Sequence, residues 1–281
     1  MVFVYIIISL AAASGIYLLL LRPRPEPKTS VEPLKVDYAH RGLFGRNEIV
    51  ENTMPAFEEA ESAGFGIELD VRLSSDGEIV VFHDSTLERL CGRPERVDSL
   101  TGSELSWVDI KGTYDRIPLF TDVLERIDHR IPLCIELKGE GTGTALCEKI
   151  APLLDSYDGY YSVESFNPFL INWFRKNRPR VVRGQLTTNL FRTGKKAGFV
   201  NKLLCTTLIL NCISRPDYIA YDVTCPNQLP VLICERIFHS LMIGWTVKDE
   251  ETLARLRRKG HLCIFQDFIP NEPYLAGNVR K

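Results

Sequence analysis

Eight short runs rich in β-branched residues recur along this chain, separated by segments of helical length with apolar residues at spacings of three and four. The strand-like runs are residues 35–40 (KVDYAH), 66–71 (GIELDV), 132–137 (PLCIEL), 160–165 (YYSVES), 181–186 (VVRGQL), 217–223 (DYIAYDV), 241–247 (LMIGWTV) and 262–268 (LCIFQDF). Helical segments are predicted over 53–64, 119–128, 143–157, 167–177, 196–210, 229–239 and 249–260. Alternation of this kind over roughly 250 residues predicts an α/β fold, a single (β/α)8 TIM barrel, with an open doubly wound sheet as the second choice. Thr53 and Asn167 are placed to cap helices ahead of Pro55 and Pro168, and Gly64 and Gly260 suit helix C-termini.

One run breaks the pattern. GEIVVFHD, residues 77–84, adds a strand-like stretch directly after the second barrel strand, so residues 84–118 read as a small insertion and not as a separate domain.

The N-terminus is of a different character. Val2 to Leu21 contains no charge, and a helix of about 20 residues crosses roughly 30 Å of hydrocarbon. The expected organisation is a transmembrane anchor over 1–21, a Pro-rich extended linker over 22–33 (RPRPEPKTSVEP) and a barrel domain over 34–281. A cleaved signal peptide is the competing reading. It fits less well, because no Lys or Arg precedes the run and cleavage after Ala13 would leave SGIYLLLL at the new terminus. Arg22, Arg24 and Lys28 follow the span, which places the barrel on the cytoplasmic side of a single-pass cell-membrane protein. Eight cysteines without CxxC spacing read as reduced thiols: Cys134 and Cys263 in strands, Cys147, Cys205 and Cys234 in helices. A net charge of −2, with no basic stripe, gives no reason to expect nucleic acid as a partner.

In a barrel, chemistry sits at the C-terminal ends of the strands. Here the first strand ends on His40-Arg41, the second on Glu68 and Asp70, the extra run on His83-Asp84 and the third on Glu136 and Lys138. Glu68 and Asp70 are two apart and so share a face. With Glu136 they make an oxygen-only set suited to a divalent cation, Ca²⁺ or Mg²⁺; the bland alternative is pairing with Arg72 or Lys138. His40 and His83 could supply one neutral imidazole and one imidazolium, the pair that breaks a P–O ester bond near neutral pH. Arg41 and Lys138 add positive charge for an anion.

AHRG with ENTMPAFEEA, then GIELDVRLSSDGEIVVFHDSTLERLCG, then IPLCIELKG, resembles the glycerophosphodiester phosphodiesterase family, with order and spacing agreeing over residues 36–138. The resemblance continues through SFNP (165–168) to GWTVKDEETLARLRRKG. It implies a (β/α)8 barrel that hydrolyses glycerophosphodiesters to glycerol 3-phosphate and an alcohol with Ca²⁺ or Mg²⁺. Carried over by residue, it implies His40 and His83 as the acid/base pair, Glu68, Asp70 and Glu136 as metal ligands, Arg41 on phosphate and Lys138 beside the substrate. Glu51, and Asn52 with it, would orient the site, and Trp245 would wall the substrate pocket or else belong to the barrel core. Near the C-terminus the chain departs from the family pattern, with HLCIFQDFIP placing bulky Phe265 and Phe268 at the eighth strand. The substrate class expected is a small-molecule phosphodiester. A lysophospholipase D-type activity on membrane lysophospholipid is the alternative, and a non-catalytic membrane-associated barrel ranks below both. The sequence does not define the oligomeric state.

Overall fold

The computed structural model describes all residues except 28, 47, 111, 195–197 and 274–281. Lys28, one of the three basic residues noted after the span, and the first two residues of the segment expected to be helical from 196 lie outside the described residues.

The elements in chain order are α1 (Val2–Leu21), β1 (Tyr38–His40), α2 (Met54–Ser62), β2 (Gly66–Leu73), β3 (Ile79–Val81), α3 (Glu88–Cys91), α4 (Gly102–Ser106) and α5 (Phe120–Ile127). They continue with β4 (Leu133–Leu137), α6 (Ala145–Asp155), β5 (Tyr161–Ser165), α7 (Pro168–Asn177), β6 (Val182–Thr187), α8 (Phe199–Thr207) and α9 (Asn211–Ser214). The last are β7 (Tyr218–Asp222), α10 (Leu229–Arg236), β8 (Leu241–Val247), α11 (Glu250–Arg258) and β9 (Leu262–Phe265). Every one of the eight predicted runs contains a barrel strand. All neighbours among these strands are parallel, and β1 pairs with both β2 and β9, so the sheet closes into the expected (β/α)8 barrel.

Alternation along each strand separates two cores. Ile67, Leu69 and Val71 of β2 face outward into the large cluster beneath the helices, with Phe57, Phe120 and Leu253. Tyr38, Cys134, Tyr218, Ile243 and Ile264 fill the barrel interior. Gly66 is required there, because a Cβ would stand 2.7 Å from the Tyr38 ring. Phe265 belongs to the outer core, stacked edge-on between Phe65 and Phe268, so these aromatics pack and do not widen the mouth.

The strand-like run after β2 is present, but β3 is antiparallel to β2 (Val71↔Val81) and lies outside the barrel. The insertion behind it carries α3 and α4 and has its own small core of Val80, Phe82, Leu87, Val97 and Leu105. Asn167 caps α7 as expected, accepting from the Phe169 amide at 3.0 Å. Thr53 occupies the N-cap of α2, yet its hydroxyl donates to the Val50 carbonyl at 2.8 Å and does not cap the helix.

The described part of the Pro-rich segment has no regular structure until a 3-10 turn begins at Glu32, and it is tied to the barrel. Leu21 is fully buried, and Arg24 donates to Asp217 at 3.0 Å and to the Pro179 carbonyl at 3.0 Å. Tyr17 donates to the Thr207 carbonyl at 3.1 Å and Asn211 to the Leu21 carbonyl at 3.0 Å, tying the end of α1 to α8 and α9. Upstream of Tyr17, α1 is exposed, as an apolar helix long enough to cross a membrane would be. The eight cysteines are free thiols, with Cys134 and Cys263 buried in strands and Cys147 and Cys234 buried in helices.

Candidate active site

The barrel register decides which charged residues meet. His40 pairs with Glu68 and Asp70 with Glu136 across adjacent strands, all on the inward face at the C-terminal mouth. Oxygens of Glu68, Asp70 and Glu136 lie within 4.8 Å of one another, and all three residues are buried. Like charges about 4 Å apart repel by about 4 kcal/mol at an effective dielectric of 20, so the cluster demands cations. Lys138 lies 3.0 Å from Asp70 and 2.6 Å from Glu136, and Arg41 lies 3.2 Å from Asp70. Burial would raise the Asp70 carboxyl, but Lys138, His83 and Arg41 outweigh it and hold that group far below its usual value.

Two fixed cations do not balance three carboxylates. Burial, with Asp70 and Glu136 beside it, pushes Glu68 well above the usual carboxylate range, and burial raises Glu136 despite Lys138. A buried oxygen-only set still short of positive charge fits a hard divalent cation. Of the two pairings considered from sequence, Lys138 does pair with Asp70, whereas Arg72 turns away and donates twice to the His83 carbonyl, at 2.9 and 2.6 Å.

His83 reaches this cluster by a different route from the others. It follows β3, which folds back along the projecting end of β2, so the side chain comes to the mouth from outside the barrel and not from the end of a parallel strand. Gly77, at φ +86°, makes the intervening turn. His83 Nδ1 is 2.6 Å from Asp84 Oδ1, and a carboxylate can only accept, so the proton sits on Nδ1 and Nε2 is free. His40 is set in the same way: Gln266 donates its amide to Asp267 Oδ1 at 2.9 Å, which turns its oxygen toward His40 Nδ1 at 2.6 Å. His40 Nε2 then lies 3.9 Å from Glu68. Burial and the nearby Arg41 charge lower His40 to about 4. The side chains are 16% and 31% exposed, so both imidazoles remain reachable.

Arg41 and Asn52 adopt left-handed backbone conformations, at φ +59° and +57°. Asn52 donates to Asp70 Oδ2 at 2.8 Å, and Glu51 accepts from Arg41 at 2.6 Å. The loop carrying Glu51 and Asn52 therefore reaches the site through Arg41 and Asp70. Gly42 sits at φ +79°, and a Cβ there would stand 2.7 Å from the Ala56 backbone, so the start of α2 constrains it.

Three partners, Gln266, Arg89 and Glu164, were not singled out from the sequence for this site, and Asp84 was noted beside His83 without a role. Gln266 and Asp84 fix the imidazoles. Arg89, on α3 of the insertion, donates to both Glu51 oxygens at 2.9 and 2.6 Å and to Asp84 at 2.5 Å, closing a chain from His83 to Arg41. Its only signal was one more charge five residues beyond His83-Asp84. Glu164, opposite Glu136, accepts from Tyr218 at 3.0 Å and is raised to about 8 by burial and by Glu136. Trp245 on β8 is half-buried against Phe166, ring centroids 5.6 Å apart, and its indole N–H finds no acceptor among the described residues. A groove of about 780 Å³ runs from His83, Glu136 and Lys138 past Phe166 to Leu204 and Leu208.

A closed βα barrel whose mouth holds two oriented imidazoles, the cations Arg41 and Lys138 and a carboxylate cluster is equipped to act on an anionic ester. Residues 40–190 match the model of the glycerophosphoryl diester phosphodiesterase family. A glycerophosphodiester phosphodiesterase of Caldanaerobacter subterraneus subsp. tengcongensis is 33% identical over 242 residues, covering 82% of this chain and 92% of that one. Lysophospholipase D GDPD1 of Rattus norvegicus is 33% identical over 132 residues, 42% of this chain and 40% of its own. The barrel is also similar to that of an Oleispira antarctica phosphodiesterase solved with sn-glycerol-3-phosphate, with a TM-score of 0.67 at 23% identity over 82% of this chain and 92% of the other. The chain belongs to the glycerophosphoryl diester phosphodiesterase family. It is accordingly a phosphoric diester hydrolase with glycerophosphodiester phosphodiesterase activity.

Proposed function

We propose that the chain cleaves glycerophosphodiesters to glycerol 3-phosphate and an alcohol by histidine acid/base chemistry beside a divalent cation, Ca²⁺ or Mg²⁺. The carrying observation is that His40 and His83 both commit Nδ1–H to an acceptor beside the carboxylate cluster, with His40 Nε2 3.9 Å from Glu68 and His83 close enough to lower Asp70. Glu68, Asp70 and Glu136 would hold the cation, which when bound neutralises charge on a phosphate oxygen. Arg41 and Lys138 contact the phosphodiester anion and share the charge that grows in the transition state. One imidazole takes the proton of the attacking hydroxyl, either water or the neighbouring glycerol hydroxyl; in the second case a cyclic glycerol phosphate forms first and water then opens it to glycerol 3-phosphate. As the new P–O bond forms, the bond to the alcohol breaks, and the other imidazole delivers a proton to the departing oxygen. Glu51 and Asn52 hold Arg41 and Asp70 in place, and Trp245 backs Phe166, which walls the groove.

The test is turnover of glycerophosphocholine by the full chain with EDTA, then with Ca²⁺ or Mg²⁺ restored. EDTA should abolish it and one of the two ions should recover it. His40→Ala and His83→Ala should each lose about 10²–10⁴-fold with an unchanged circular dichroism spectrum. Activity within a few fold of wild type in both variants would sink the assignment.

A second reading, lysophospholipase D-type release of a head group from lysophospholipid, is favoured by the apolar far end of the groove at Leu204 and Leu208. Comparing head-group release from lysophosphatidylcholine with release from glycerophosphocholine separates the two. A membrane anchor over 1–21, a linker over 22–33 and a catalytic barrel from 34 are supported by the unbroken apolar helix and the seating of its last turn in the fold. Arg22 and Arg24 after the span, and eight free thiols, support a barrel on the cytoplasmic face.

A further inference from the structure

Among the helices that follow barrel strands, α8 stands apart: none of its nine residues is buried. Phe199, Val200 and Leu203 are 70%, 63% and 40% exposed. Phe191, in the loop before the helix, is 49% exposed and stacks edge-on with Phe199 at 6.0 Å. Arg192 is exposed beside this aromatic pair and Lys202 is half-buried on the helix. An exposed apolar cluster edged by cations is the pattern of a segment that lies in a membrane interface.

Position says which surface covers it. The last residue of α8, Thr207, is bonded through its carbonyl to Tyr17, and Asn211 just beyond is bonded to Leu21. Tyr17 lies four residues before the end of α1, roughly 6 Å up a helix rising 1.5 Å per residue. The C-terminal end of α8 therefore touches the apolar helix within its own length, and the rest of α8 extends only about 13 Å from that point. We propose that the outer face of α8 and the Phe191 loop seat on the lipid surface that α1 crosses, so that the groove opens onto the bilayer. Phe199, Val200 and Leu203 meet lipid, while Leu204 and Leu208 line the groove that leads to His83 and Glu136. This rests on α1 being a membrane anchor and needs no turnover.

The full chain is reconstituted into phosphatidylcholine vesicles whose acyl chains carry bromine near the headgroup end. Tryptophan emission is compared with wild type for Phe199→Trp and for Tyr114→Trp, whose position in the insertion is fully exposed. An interfacial face sinks roughly 5–10 Å, so the added indole at 199 should be quenched by about half or more while that at 114 is unaffected. Adding Phe191→Asp and Leu203→Asp should abolish the quenching at 199 and leave turnover of soluble glycerophosphocholine unchanged. Quenching at 199 no greater than at 114, in chain that resists a carbonate wash, overturns the proposal alone. Wild-type chain released by that wash overturns the anchor and the proposal together. Loss of glycerophosphocholine turnover in the wild type overturns the reaction and leaves the quenching result standing.

Discussion

At the level of single residues, the site depends on where protons sit. His40 and His83 each present Nε2 because an oxygen holds Nδ1–H, from Gln266 across the barrel in one case and from the adjacent Asp84 in the other. Gln266→Leu removes that acceptor without touching substrate, so kcat should fall about 10-fold or more with little change in KM; steady-state kinetics checks the split. Glu51 is a second test. Burial alone would raise it, but hydrogen bonds from Arg89 and the charge of Arg41 hold it below its usual value. A carboxylate lowered by folding adds stability that is present above about pH 4.3 and lost as pH falls toward the folded value. The Tm difference between wild type and Glu51→Gln should therefore be full above about pH 5 and shrink as the pH falls further through the folded value. The histidines and the three carboxylates were legible because they interrupt or end otherwise apolar strand runs. Arg89 and Gln266 were not, because a charged or amide residue on a loop is unremarkable until a partner from elsewhere in the chain reaches it.

At the level of elements, the β2–β3 hairpin and the β1–α2 loop carry the precision. The run ending in His83 was readable as a strand, but its antiparallel direction was not, since alternation fixes which face a residue points to and not which neighbour it pairs with. The β1–α2 loop depends on Gly42, where positive φ and the Ala56 backbone act together. Gly42→Ala should cost about 1–3 kcal/mol and displace Arg41, giving a Tm lower by several degrees and a fall in kcat/KM larger than unfolding at the assay temperature explains. Thr53 shows the reverse. Its position at the helix start was evident, while its hydroxyl found the Val50 carbonyl because the tight β1–α2 loop places that group nearer.

Taken as a whole molecule, the chain joins an apolar helix to a barrel through a short segment that is packed and not free. Arg24 pairs with Asp217, whose carboxyl burial raises even with Arg183 and Arg24 beside it. Arg24→Ala should loosen residues 22–33, making them cleavable at protease doses that leave wild type intact, while glycerophosphocholine turnover stays within a few fold. Equal resistance in both proteins would mean that the Arg24–Asp217 pair does not hold the linker.

The amino-acid sequence by itself determined the alternation of strands and helices, the apolar span and the shared face of Glu68 and Asp70. Each follows from local periodicity, which backbone geometry translates directly into direction. Tertiary structure alone decided that Asp70 faces Glu136, that Gln266 and Arg89 orient groups far away in the chain, and that α8 is left bare beside α1. Those contacts exist only once the barrel closes, because register and closure set distances between residues up to 226 positions apart.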